Sequence, residues 1–316
     1  MLTLQEYKDV IQDKVDTNLI DELTKSNALL NALTFDDTAV STGGRSFPYV
    51  YHRIVTESGA EFRHVGEDYT PSDAKTEKVT SEVAIMGGQY SIDRAIAHSS
   101  KDSFIDQVEL QSKQKIKAVS ALFNDAAING NRAVNDDEFD GLDVILKGSD
   151  TEYTSEIDVS TSALLDENYT AFSDELDGVM AQLDGPCDFI CGNTKSIQKV
   201  KAMAKRLGQY QETKDDAGRT VSKYGGAELM DMGAKLGSNN PVISIDEDGK
   251  TDLYFIRLGM DGFHGITLKN GELMDIVMPE FSTKAETHAE GLVEMYAGVV
   301  LKKTKAAAVL RGVKVK

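Results

Sequence analysis

The chain has 316 residues, 41% of them hydrophobic, enough for one large or two medium folded units and too apolar for a disordered chain. Its 52 acidic and 34 basic residues give a formal charge of −18, which argues against adhesion to nucleic acid or an anionic membrane, since both need clustered Lys and Arg. No apolar run approaches the roughly 20 residues of a membrane-spanning helix, and the charged start LTLQEYKDVIQDKV carries no signal peptide, so the expected compartment is the cytoplasm.

Residues 3–33 set Val10, Ile11, Val15, Leu19, Ile20 and Leu23 among charges at helical spacing, with lapses at Thr17 and Ser26. An arm of one or two helices is expected, docking through ALLNALTF at 28–35. From Arg45 the period changes to two. Phe47, Tyr49 and Tyr51 share one strand face, and Pro48 marks an edge or a strand beginning. Residues 57–77 are polar and turn-rich, with too few apolar groups to fold against themselves, and VTSEVAIMGG at 79–88 returns as a strand with Val79, Val83 and Ile85 on one face. The pattern predicts an extended hairpin projecting from the body. A lone two-stranded ribbon is marginal in water, so another subunit is expected to supply its surface.

Residues 99–131 form the longest helical pattern. Phe104, Ile105, Val108, Ile116, Val119, Leu122, Phe123, Ala126 and Ala127 recur at intervals of three and four, Ser99 is a candidate N-cap, and Gly130 can end the helix. Such a strut spans roughly 40 Å. DEFDGLDVIL then predicts a turn and a short buried strand, and the Ser/Thr/Asp-rich stretch 148–162 a boundary.

Helices are predicted over 166–183 and 193–208, the second capped by Asn193 or Thr194, with CDFICG between them as a buried strand. A helix–strand–helix order implies an α+β or α/β layer. Residues 209–226 are expected to be a hydrophilic loop, and PVISI and LYFIRL to be strands joined by a turn at DEDGK. FHGITL and ELMDIVM flank Lys269, Asn270 and Gly271, a hairpin signal, and the chain closes in two more strand-like segments from Gly291 onward.

Chemistry is sparse. His52, His64, His98, His264 and His288 are scattered, with no metal-ligand spacing, and are expected at surfaces or interfaces. Cys187 and Cys191 fall about 13 Å apart on a strand, too far to bridge, and are expected as buried reduced thiols. DEDGK lacks the alternating acids and closing Glu of a calcium loop. Phosphate-binding glycine loops and a GxSxG elbow are absent, and the adjacent carboxylates Asp136–Asp137 and Asp215–Asp216 sit in solvated loops. Arm and hairpin both lack sufficient partners within one chain, which suits the repeating unit of an assembly.

Taken in order, ALLNAL, the ribbon from RSFPYVY to VAIMGGQYSIDR, the helix ending NDAAINGN, the following FDGLDVIL and the final EGLVEMYAGVVLKKTKAAAVLRGV resemble the major capsid proteins of tailed bacteriophages, the Hong Kong 97-type fold family. The match is of order and character along nearly the whole chain, without a diagnostic short motif. It implies an α+β fold with an N-terminal arm (1–44), an extended β-hairpin loop and the start of a peripheral domain (45–98), a spine helix and the peripheral domain (99–162), an axial domain (163–275) and a return strand to the peripheral domain (276–316).

The resemblance further implies a structural shell subunit, not an enzyme, that self-assembles through hexamers and pentamers into an icosahedral head. That head would enclose double-stranded DNA without binding it specifically. Assembly is expected in the bacterial cytoplasm and the product in the virion, with a scaffold protein and a portal protein as partners and no cofactor, metal or membrane. No scaffold-sized segment precedes the arm, so the scaffold is expected as a separate chain or a cleaved portion. Candidate assembly residues are Leu29, Leu30, Leu33, Phe62, Arg63, Glu67, Asp68, Tyr69, Lys75 and Lys78. Some relatives crosslink a loop Lys to a neighbour's Asn. Lys75 and Lys78 lie on the ribbon, but without a matched Asn and a catalytic Glu no crosslink is assigned. The alternatives are an encapsulin-type nanocompartment shell and, more distantly, a soluble α/β enzyme with a loop-borne site.

Overall fold

The computed structural model describes residues 28–39, 47–56, 58–93, 101–214, 220–235, 237–238, 240–268, 273–279 and 288–316, with the backbone alone for 28, 31, 56 and 101–110. The expected arm helices at 3–27, His98, the Ser99 cap, the centre of the 209–226 segment and the Asn270–Gly271 turn lie outside the described residues, as do the side chains of Phe104, Ile105 and Val108.

Two sheets and a long helix carry the fold. The first sheet runs β1 (Phe35–Ala39), β10 (Phe263–Leu268), β12 (His288–Leu301), β3 (Lys75–Asp93) and β2 (Phe47–Thr56), with β11 (Met274–Val277) also paired to β12. The second runs β4 (Glu152–Thr154), β13 (Ala307–Lys314), β9 (Lys250–Ile256), β5 (Phe189–Gly192), β8 (Ala227–Asp231), β7 (Thr220–Tyr224) and β6 (Gln211–Lys214). The helices are α1 (Ala28–Ala32), α2 (Lys101–Asn129), α3 (Leu142–Leu146), α4 (Ser162–Ala181) and α5 (Thr194–Leu207).

β3 explains the expected ribbon and corrects one detail of it. Its first half pairs with β2, from Thr56↔Lys75 to Phe47↔Val83, and its second half with β12, from Ala84↔Ala297 to Asp93↔His288. The buried face changes at that handover. Val83 packs with Tyr49, Ala39, Ile266 and Val300, whereas Ala84, Met86, Tyr90 and Ile92 face α2, which leaves Ile85 53% exposed and not inside with Val79 and Val83. Gly291 lies opposite Tyr90, where any Cβ would come within 2.3 Å of the ring, so glycine lets the aromatic lie flat across the strand. The Tyr90 hydroxyl meets Ser112 Oγ at 2.6 Å and ties sheet to helix.

α2 is the expected strut, 29 residues and so about 43 Å long. Ile116, Val119, Phe123 and Ala127 are buried at three-and-four spacing against β3 and β12. Leu122 is a correction: it sits one step off the stripe and is 39% exposed. Beyond α2, Gly130 and Gly141 bring two backbone segments together through the Gly141 N–H donating to Gly130 O at 2.8 Å. The run LDVIL that follows is α3, not a strand. Leu142 and Leu146, four apart, share its buried face, while Asp143 turns outward, and a five-residue apolar run carries too little periodicity to separate the two readings.

The second sheet is covered on both faces, as its alternation shows. Ile190, Leu229, Leu253, Phe255, Ala308 and Leu310 pack under α4 and α5, whereas Cys191, Met230, Tyr254, Ile256, Ala307 and Val309 join the core shared with α1, α2 and α3. Asn193 caps α5 by accepting from the Ser196 amide at 2.9 Å, and Gly208, left-handed at φ 69°, ends it.

Three further expectations change. Residues 211–214 and 220–224 are the strands of a hairpin at the sheet edge, polar because β6 is exposed throughout, so the loop reading of 209–226 is corrected. PVISI makes only isolated bridges, Ala234↔Pro241 and Ile245↔Thr251. β10 and β11 do not pair as a hairpin: both run antiparallel to β12, one after the other along it, because a single long strand offers each a partner. The return segment divides at the turn Thr304–Ala306, so that β12 joins β3 while β13 enters the second sheet between β4 and β9. β10, like β12, belongs to the first sheet.

Candidate assembly surfaces

The hairpin β2–β3 is anchored at its base by β2. Arg53 donates from Nε to Lys302 O at 3.0 Å and from Nη2 to Leu301 O at 2.8 Å, and the Tyr51 hydroxyl donates to Leu301 O at 3.0 Å. Nearby, the Tyr49 hydroxyl donates to Asp36 Oδ2 at 2.7 Å. Burial, then Asp36, pushes the Tyr49 phenol up to about 12. Burial alone would raise the Asp36 carboxyl, but hydrogen bonds from Tyr49 and Thr38 and the charge of Lys302 outweigh it and hold it below its ordinary value. Sequence reading missed Arg53, whose signal is a cation inside an otherwise apolar strand.

From this base the hairpin extends to a tip, residues 58–74, exposed at every position. The tip is locally organised. Ser72 Oγ accepts from the Gly59 amide at 2.9 Å, Arg63 Nη1 donates to Glu67 O at 2.8 Å, and the Arg63 guanidinium lies 5.2 Å from the Tyr69 ring centre. Phe62 and Val65 project from it fully exposed. An aromatic and a β-branched side chain left without cover on an ordered turn mark a contact surface.

Of the candidate residues, Phe62, Arg63, Glu67, Asp68, Tyr69, Lys75 and Lys78 all lie exposed on this tip or the adjoining strand. Leu29, Leu30 and Leu33 lie elsewhere. They are buried in the subunit's own core, in the cluster that includes Phe123, Met230 and Met232, so their apolar surface is already covered within the chain. Val65 was not singled out from the sequence, where it reads as an isolated apolar residue between His64 and Gly66.

Among the described residues no group of three His, Cys, Asp or Glu side chains is placed to hold a metal ion, and no helix is long and apolar enough to cross a membrane. Both cysteines are free. Cys187 is half-buried and Cys191 buried, and burial pushes both thiols up, Cys187 to about 12. DEDGK forms the expected turn, with Asp246 Oδ1 accepting from the Lys250 amide at 2.7 Å. A hollow of about 300 Å³ between α2 and residues 230–234 is lined by Leu29, Lys117, Ser120, Asn124, Asp231 and Met232.

His264 corrects the expectation of surface histidines: it is fully buried, edge-on to Tyr49 with ring centres 6.2 Å apart, and its Nε2 has no hydrogen-bond partner among the described residues. Burial, then the charge of Lys302, holds its pKa below 6.5, against smaller opposing effects from the Gly262 carbonyl, Asp36 and Asp261. Such a group binds fewer protons folded than unfolded. Its contribution to stability is therefore present above the ordinary value and lost as pH falls from 6.5 through the lower native value. Melting temperatures from pH 7.5 to 5 are expected to fall more steeply for the wild type than for His264→Gln, and parallel curves would exclude His264 as the source.

In the second sheet Arg311 of β13 is a hub. It donates to Glu152, to Asp143 Oδ1 at 2.6 Å and to Asp252 Oδ2 at 2.9 Å, and the Tyr254 hydroxyl donates to Asp143 at 3.0 Å. The network joins α3, β4, β9 and β13. Burial raises the Asp252 carboxyl above its ordinary value, while a hydrogen bond from the Gly148 amide lowers that of Glu152.

No protein-family model matches the sequence, and no curated protein matches it either. Solved structures do match its shape. The holo-SrpI encapsulin complex of Synechococcus elongatus aligns over 91% of this chain and 88% of its own at 14% identity, with a TM-score of 0.58. The capsid of a native GTA particle aligns over 90% of both chains at 12% identity and a TM-score of 0.56. Mycobacterium phage Ogopogo aligns over 90% of this chain and 91% of its own at 12% identity and 0.53. The chain therefore has the Hong Kong 97-type capsid fold, an α+β fold common to phage capsids and encapsulins.

Proposed function

We propose that the chain is a structural shell subunit, a major capsid protein that assembles through hexamers and pentamers into an icosahedral head enclosing double-stranded phage DNA. The observation that carries this reading is the locally organised, uncovered tip at 58–74 on a capsid fold, with Phe62 and Val65 fully exposed. The first sheet with α2 is assigned as the peripheral domain, and the second sheet with α4 and α5 as the axial domain. Phe62, Arg63, Glu67, Asp68, Tyr69, Lys75 and Lys78 are the contacts that the tip and its strand offer a neighbour. A net charge of −18 suits a container into which DNA is driven, because the wall does not adsorb it. A scaffold and a portal protein complete the assembly, which forms in the host cytoplasm and ends as the virion.

An encapsulin-type shell is the second reading, favoured by the alignment with the Synechococcus complex. Electron microscopy of purified assemblies separates the two: DNA-filled particles with a portal vertex support the phage head, and small closed shells with protein cargo the compartment. A chain that stays monomeric at high concentration, with its 57–77 segment protected from protease, would overturn both. For the tip, Phe62→Ser with Val65→Ser should leave the melting temperature of the unassembled subunit unchanged, because both side chains are fully exposed. Burying one such side chain is worth about 1.5–3 kcal/mol, so assembly should fall by a factor of ten or more per contact. Undiminished assembly, read by light scattering, would remove the tip from the interface.

A further inference from the structure

Leu122 of α2 and Ile85 of β3 both stay exposed, and both line one groove of about 390 Å³ between α2, β3 and the loop 135–139. Single apolar side chains on a surface need no explanation, but two from different elements that share a concave face form a patch. Its rim is acidic. Asp125, Asp137 and Glu138 line it, and the lining cation Lys235 is already paired with Asp125 at 3.2 Å.

The hairpin tip has the converse shape. Phe62 and Val65 project from its apex, and the four residues 62–65 hold one guanidinium and no acid. The acids that flank the apex are turned back onto the tip: Glu61 accepts from the Thr70 amide, and Glu67 from the His64 amide at 3.3 Å. Asp68 and Asp73 follow on the returning limb. The Tyr69 ring and Glu67 O hold Arg63, which keeps its charge at the apex beside the apolar pair.

A subunit does not fill its own groove with its own tip. β2 pairs with β3 from Val83 back to Lys75, so the hairpin extends away from Ile85, and ten residues of continuous strand, roughly 33 Å, separate Ile85 from Lys75. Phe62 and Val65 are accordingly fully exposed in their own chain. A convex apolar apex with a cation matches a concave apolar groove with an acidic rim, the usual anatomy of an interface. Tip into groove is also a head-to-tail contact, the kind that repeats from copy to copy and can close a ring.

We propose that the apex 62–65 of one subunit seats in the groove between α2 and β3 of an adjacent copy, with Phe62 and Val65 against Ile85 and Leu122 and Arg63 against the acidic rim. The proposal rests on the shell reading above and names the surface that receives the tip.

Disulfide trapping in the full chain tests the contact. Val65→Cys with Leu122→Cys, and separately Phe62→Cys with Ile85→Cys, should give ladders of covalent multimers when assembled material is oxidised. Each single variant, and the wild type with its half-buried Cys187 and buried Cys191, should run as a monomer on a non-reducing gel. Chains carrying Val65→Cys mixed with chains carrying Leu122→Cys should stop at dimers. Ile85→Ser with Leu122→Ser should keep the circular dichroism of the unassembled subunit and lower assembly on the order of tenfold. Particles formed in normal yield in which neither cysteine pair traps a multimer overturn the contact, as does a single tip variant that crosslinks as readily as the pairs. So does a Leu122→Cys thiol that resists a thiol reagent before assembly, which would assign the groove to the chain's own residues 1–27. A wild-type chain that forms neither rings nor shells overturns the shell reading and this contact with it.

Discussion

Val119→Asp should yield little or no soluble, folded protein. Val119 is 3% exposed in the middle of α2, within the cluster formed by Ile116, Phe123, Met86 and Met295. A carboxylate buried among these apolar side chains costs several kcal/mol, on the order of half or more of a typical domain's total stability. Gln114→Asp, on the exposed side of the same helix, is the control and should fold normally. Circular dichroism and soluble yield read both variants. A soluble Val119→Asp subunit melting within a few degrees of the wild type would show that the buried face of α2 is wrongly assigned.

Arg311→Met should destabilise the subunit by about 2–3 kcal/mol, less than a fully buried pair would, because the hub keeps roughly a quarter of its side-chain surface in water. The loss is not of one salt bridge: Asp143, Glu152 and Asp252 would face one another without a cation. The sign of the pH dependence identifies that mechanism. Mutually repelling carboxylates have raised native pKa values and bind more protons folded than unfolded, so the variant should gain stability as pH falls from 7 towards 4.5. In the wild type Glu152 is held low and loses its contribution as pH falls through the carboxylate range, whereas Asp252 is raised and acts in the opposite sense, so the two slopes offset one another. Urea titrations at the two pH values measure both slopes. A variant whose stability follows pH as the wild type's does would show that Arg311 acts by packing and not by charge.

Local rules made much of this fold legible. The three-and-four spacing of Ile116, Val119, Phe123 and Ala127 specifies α2, and Asn193 and Gly208 bound α5, because caps and amphipathic stripes act over a few residues. The hairpin was legible for the same reason: alternation in Phe47, Tyr49 and Tyr51 meets a polar tip too poor in apolar groups to bury itself. Short or polar strands were not. β6 and β7 read as a loop because an exposed edge strand needs no hydrophobic alternation, and β1 and β4 are too short to carry a period.

The tip that carries the assembly reading could be placed from composition, since Phe62 and Tyr69 stand out in a polar stretch. The fate of Leu29, Leu30 and Leu33 could not, because an apolar cluster looks the same whether its own core or a neighbour covers it. Nor could the burial of His264, the exposure of Leu122 and Ile85, or the meeting of Arg311 with acids 59 to 168 positions away. Each depends on contacts between segments distant in sequence, and nothing in a local window reports them. Residue order therefore specified the strut, the hairpin, the helices of the second layer and the acidic surface, all consequences of local periodicity and charge. Three-dimensional packing settled which apolar groups were covered and that β12 and β13 divide between two sheets, because those outcomes follow from long-range pairing of strands.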